Sequence, residues 1–245
     1  MSLNSGETLQ PFKPLNQLIY DSVGNLIGIQ NDRANGTDLR SVSTMTWANR
    51  PTAAPDAGLY LFTDIGTSGT LMRYAGSRWR PIAGQAQLAS LGAAVTGIAN
   101  SETIVLQTLI PAGVWQTNDS IRIWVTASKS GTTNTANLSV RVGTAGTTAD
   151  TAITGLSALS IITAANILAG AIYDVKLVSA TSAQKVGNNA SAASAYQGAT
   201  TAGAAAATVI TDASANALYV TVTLASSGAT DTVSIQSGQI QLITP

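Results

Sequence analysis

Between Ser120 and Ala127 the chain places Ile121, Ile123 and Val125 at every second position, and the same alternation returns in Leu138, Val140 and Val142. A period of two sends successive side chains to opposite faces of a strand. It fits no helix, whose apolar positions recur every three to four residues. Apolar runs over 103–109, 171–178, 206–210, 217–224, 232–235 and 239–243 continue the series, with turn formers such as Pro111-Ala112-Gly113 between them. About eight strands at this spacing, with no helical pattern between, predict a β-sandwich, and eight is the jelly-roll number. Residues 189–207 are low in complexity and read either as a long loop or as a weak Ala-rich helix.

The preceding part of the chain divides by composition. Residues 1–45 read as an extended arm with a short hairpin, in which 17–21 and 25–30 flank Ser22, Val23 and Gly24. Pro11 and Pro14 discourage a helix there. The arm carries spaced apolar residues rather than a core, so its order is expected from another chain. Phe12, Leu18 and Ile19 are its candidate anchors, suited to a partner's groove or sheet edge. Residues 46–85 read as a small β-meander, with strands over 58–63, 70–74 and 78–82 joined by Gly-containing turns. Residues 86–98 read as a short helix or linker, because Leu88 and Leu91 stand three apart within Gln85 to Ala94. Residues 99–245 hold the sandwich.

The missing residues narrow the chemistry. The chain has no His and no Cys, which removes the imidazole base, the thiol nucleophile, disulfides and the usual zinc ligand sets. No phosphate loop, metalloprotease helix, nucleophile elbow or calcium loop occurs. Asp32 with Asp38 read as solvated loop residues, and Asp56 with Asp64 as turn caps rather than a glycosidase pair. Convergence of Asp150, Asp174, Asp212 and Asp231 on a hard cation is the disfavoured reading. Twelve basic residues against twelve acidic ones, with no basic run, argue against nucleic acid. No apolar run is long enough to span a bilayer and no signal peptide is visible, so a soluble product made in a cytoplasm is expected. These exclusions predict a non-enzymatic protein without cofactor or metal.

Large core-builders are scarce, with two Phe, three Met and four Trp in 245 residues, whereas Ala, Thr, Ser and Gly make up close to half. Burial contributes about 25 cal/mol per Å² of apolar surface, so such a chain gains little per residue, and neighbouring subunits are expected to complete its core. Trp47, Tyr60, Tyr74 and Trp79 in the meander and Trp124 in the sandwich are the candidate core or subunit-contact residues. For Trp79 the core reading is preferred, with the nearby arginines snorkelling around it. Trp124 is out of phase with Ile121, Ile123 and Val125, which leaves the opposite face open to it.

The run Trp47-Ala48-Asn49-Arg50-Pro51, then Asp56-Ala57-Gly58, then Gly76-Ser77-Arg78-Trp79-Arg80-Pro81 resembles a small β-module of tailed-bacteriophage virion proteins. Ser101-Glu102-Thr103, Ile110-Pro111-Ala112-Gly113, Asn118 to Ile123 and Val140 to Thr144 are similar to a jelly-roll of the same class. The resemblance implies a homotrimer on the virion, made in the host bacterial cytoplasm, with the N-terminal segment docked to the particle and the jelly-roll outward. The resemblance does not choose a part of the virion, but an arm of about 45 residues leading directly into the globular part, without a long shaft, favours a capsid decoration, cement or head-fibre role with the major capsid protein as partner. A tail-fibre or receptor-binding adhesin that contacts host-surface glycan is the alternative.

Overall fold

The computed structural model describes residues 16–20, 26–33, 36–51, 59–75, 78–162, 168–186 and 206–245. Six strands follow one another in chain order across a first sheet: β1 (Asn16–Tyr20), β2 (Leu26–Arg33), β3 (Gly36–Met45), β4 (Leu59–Phe62), β5 (Thr70–Ala75) and β6 (Arg78–Pro81). Neighbours are antiparallel except β3 and β4, which run parallel from Val42 opposite Leu59 to Met45 opposite Phe62. A parallel pair needs a crossover rather than a tight turn, and here the crossover begins with a 3₁₀ turn at Trp47–Asn49.

This arrangement corrects the arm. The hairpin read over 17–30 is present as β1 and β2, with Gln17 opposite Gln30 and Leu18 opposite Ile29. The strands β1, β2 and β3 are nevertheless paired within their own chain, and β3 continues the ladder into β4 of the meander. The polar composition misled because strand pairing satisfies backbone N–H and C=O groups whatever the side chains are. Phe12 lies outside the described residues.

Twelve further strands lie among the described residues: β7 (Gln85–Ser90), β8 (Val95–Ile98), β9 (Thr103–Ile110), β10 (Ser120–Lys129), β11 (Ala136–Gly143), β12 (Thr151–Ala152), β13 (Leu159–Ile162), β14 (Leu168–Ser179), β15 (Ser182–Val186), β16 (Thr208–Val209), β17 (Leu218–Ser226) and β18 (Val233–Ile243). One sheet runs β16-β15-β14-β10-β18-β7, with β8 also on β18. The other runs β12-β11-β17-β9, with β13 also on β11. Ile121, Ile123, Val125, Tyr173, Val175 and Ile240 from the one, and Leu138, Val140, Val142, Val220, Val222 and Leu224 from the other, are buried in one core. The protein is all-β and sandwich-like, and no α-helix occurs among the described residues.

The pairings are nested. β7 pairs β18, β9 pairs β17, β10 pairs β14 and β11 pairs β13, as if one long hairpin had been wound up on itself.

Two expectations change here. The helix expected over Gln85 to Ala94 is the strand β7, in which Ala86 and Leu88 are buried and Gln85 and Gln87 exposed. A single apolar pair three apart is too short to sustain a helix, whereas the edge of β18 offers a ladder from Gln239 opposite Ser90 to Ile243 opposite Gln85. The two strands expected over 232–235 and 239–243 form one, β18, whose register against β10 slips between Thr126 and Ala127. Most of 189–207 lies outside the described residues.

Candidate functional site at the junction of module and sandwich

The registers of β4, β5 and β6 set Tyr60 opposite Met72 and Tyr74 opposite Trp79. Alternation then gathers Tyr60, Phe62, Met72, Tyr74 and Trp79 on one face. The 3₁₀ turn brings Trp47 onto them, its backbone N–H donating to Asp64 Oδ1 at 2.8 Å. Edge-to-face contacts knit the rings: Tyr60–Trp79 at 5.0 Å, Trp47–Phe62 and Phe62–Trp79 at 5.2 Å, and Tyr74–Trp79 at 5.5 Å. Such pairs contribute about 0.5–1.5 kcal/mol beyond burial. Four of the five aromatic residues read from the sequence therefore meet, with Trp47 and Trp79 buried and Tyr60 and Tyr74 partly buried against them.

Trp124 is not among them. It is half-buried on the outer face of β10, between Ile172 of β14 and Gln239 of β18. With Ile121, Ile123 and Val125 inward, residue 124 must point outward. The buried indole of the sandwich is Trp115, 2% exposed, which lies within a turn and was not singled out from the sequence. Trp124→Ala is accordingly expected to lower the melting temperature far less than Trp115→Ala, measured by circular dichroism. Equal losses would put Trp124 in a buried contact.

The module is fastened to the sandwich by directed bonds. The Trp47 indole N–H donates to the Ala112 carbonyl at 2.7 Å, and Arg78 Nη1 donates to Asp119 Oδ1 at 2.9 Å. Asp119 also accepts the Gln116 amide at Oδ2, while its carbonyl accepts the Trp115 indole N–H at 3.2 Å. Burial pushes the Asp119 carboxyl above its ordinary value, against the Gln116 amide and Arg78, which favour its charged form. Gly66 takes φ +75°, and a Cβ there would stand 2.2 Å from the Gln87 carbonyl oxygen, so only glycine lets this loop press on β7.

Two adjoining depressions open beside Arg78. One of about 300 Å³ is lined by Trp47, Arg50, Tyr74, Arg78, Trp79 and Gln116, and one of about 330 Å³ by Arg78, Trp115, Gln116, Thr117, Leu177 and Ser214. They share Arg78, Gly113 and Gln116. Arg50 lies over the Trp47 ring, its guanidinium carbon 4.4 Å from the centroid, and Nη1 donates to the Trp47 carbonyl. Arg50, Trp115 and Asp119 were not singled out from sequence as site residues. A visible signal was the Asn49-Arg50-Pro51 triplet beside a Trp.

The carboxylates weighed for a cation serve separate networks. Asp150 accepts the amides of Ala145, Gly146 and Thr147. Asp174 is bidentate with Arg122. Asp212 caps its own turn through Ser214. Asp231 accepts Lys129 Nζ and the amides of Thr133 and Asn134. Among the described residues no three carboxylates gather where a metal would sit, and no helix is long and apolar enough to cross a membrane.

No protein-family profile matches the chain, and neither a curated protein nor a solved structure is significantly similar to it.

Proposed function

We propose that the chain is a non-enzymatic structural protein of the tailed-phage virion surface, a trimeric capsid decoration, cement or head-fibre protein. Its sandwich is read as a jelly-roll, and its N-terminal segment as the anchor to the particle, with the major capsid protein as the partner. The observation that carries this reading is the nested pairing of β7 with β18, β9 with β17, β10 with β14 and β11 with β13. That order is what a hairpin wound into two Greek keys produces. Together with the module motifs it favours a virion component over an unrelated β-protein.

The trimer reading draws on apolar side chains left outward, with Ile172 44%, Val178 42% and Val209 78% exposed on the sheet that contains β10. Multi-angle light scattering of the full chain is expected to give three times 24.9 kDa. Ile172→Asp combined with Val209→Asp is expected to dissociate it. A monomer from the unaltered chain overturns the trimer. For the anchor, deleting residues 2–15, which include Phe12 and precede β1, is expected to abolish binding to particles stripped of the protein. Leu18→Asp with Ile19→Asp tests the other two anchors. Full occupancy by all these variants removes the N-terminal segment from that role.

The adhesin alternative is favoured by the junction groove, whose aromatic wall and convergent polar groups have the make-up of a small-ligand site. Copy number separates the readings: many copies per virion for decoration, few for a fibre.

A further inference from the structure

We infer that the groove around Arg78 binds a carboxylate-bearing sugar, its acid group between Arg50 and Arg78 and its ring against Tyr74. The inference is independent of where the protein sits on a particle.

Among the described residues the smaller lobe is lined by two guanidinium groups and by no carboxylate, the nearest partner of Arg78 being the buried Asp119 behind it. Asp119 is 2% exposed and committed to Arg78 and the Gln116 amide. Arg78 reaches it through Nη1 alone, which leaves Nε and Nη2 without an acceptor among the described residues. Arg50 has no carboxylate partner there at all. It lies over the Trp47 ring and makes one bond to that residue's carbonyl. In a chain of zero formal net charge this is a local excess of positive, pre-oriented donors, and guanidinium forks match a carboxylate in a directed, bidentate way.

The remaining lining fits a hydroxylated ring. Gln116 spends its Nε2 on the Gly113 carbonyl and keeps its amide oxygen for a hydroxyl. Thr117 adds a hydroxyl in the second lobe, where the Ser214 hydroxyl already donates to Asp212 Oδ1. Tyr74 is half-buried and offers an aromatic surface to the C–H face of a sugar ring. About 300 Å³ per lobe accommodates one or two rings. A bare inorganic anion would leave the aromatic wall unused, and an extended acidic peptide would need more length than two small lobes supply.

The test titrates methyl glucuronoside and methyl glucoside into the full-length protein, followed by protein NMR shifts and by saturation transfer to the sugar. The uronate is expected to bind about tenfold or more tightly than the neutral sugar, the increment of a hydrogen bond to a charged group. Arg50→Gln is expected to erase that preference, and Arg50→Lys to restore it in part. Gln116→Ala weakens both sugars alike and decides the matter even where Arg50→Gln proves too unstable to titrate. The inference fails if the two sugars bind equally, if neither binds, or if Gln116→Ala leaves the uronate unaffected. It also fails if a hexaglutamate peptide binds and methyl glucuronoside cannot displace it.

Discussion

Trp79→Ala is expected to lower the unfolding free energy by about 3–5 kcal/mol, the range for truncating a large buried aromatic. The indole is 6% exposed and meets Tyr60, Phe62, Tyr74 and Trp47 at ring-centroid distances from 5.0 to 6.5 Å. It is the hub of the module's aromatic cluster. The loss reaches the junction too, because Trp79 walls the groove whose opposite side carries Gln116. Urea unfolding followed by circular dichroism measures it, and Trp79→Phe should recover part. A cost under about 1 kcal/mol would mean that the remaining rings close the gap, contrary to the crowded geometry.

The second large effect concerns Lys129 and Asp231, a pair whose side chains are 0% and 3% exposed and whose charged atoms are 2.9 Å apart. Lys129 Nζ also donates to the Gly131 carbonyl, at a glycine with φ +82° where a Cβ would stand 2.2 Å from Asp231 Oδ1. Removing one partner of such a pair strands the other charge. Lys129→Met is therefore expected to depress the melting temperature far more than Arg122→Ala, whose partner Asp174 lies on a half-exposed face. The acid limb follows from the same group. The Asn134 amide first, then Lys129 and the Thr133 amide, hold the Asp231 carboxyl below its usual range against the desolvation of burial. A lowered folded-state pKa contributes stability in full above the unfolded value, about 3.9, and loses it as pH falls through the folded one. The melting-temperature gap between the unaltered protein and Asp231→Asn should thus be constant from neutral pH to about 5 and narrow below 4. A gap unchanged down to pH 2 would assign the stability to shape rather than to charge.

What could be read in advance was local. Alternation alone puts Ile121, Ile123, Val125, Leu138, Val140 and Val142 inside, because a strand's pleat assigns its faces without reference to any neighbour. The same rule places Tyr60, Tyr74 and Trp79 together once the turns between their strands are short. Where the local signal was two residues deep, as with Leu88 and Leu91, the free edge of β18 outweighed it.

The chain's own residues thus determined that the protein is made of strands, which side chains face inward, and that no His- or Cys-based chemistry is possible. Which strand meets which was decided only in three dimensions. Backbone hydrogen bonds are nearly blind to side-chain identity, so nothing in Gly36–Met45 names Leu59–Phe62 as its parallel neighbour. Nor could Asp231 announce a partner 102 positions earlier, or Arg50 a groove completed by Gly113 and Gln116. Charge pairing and cavity shape depend on distances that exist only after the sheets have closed, whereas the pleat is set as each strand extends.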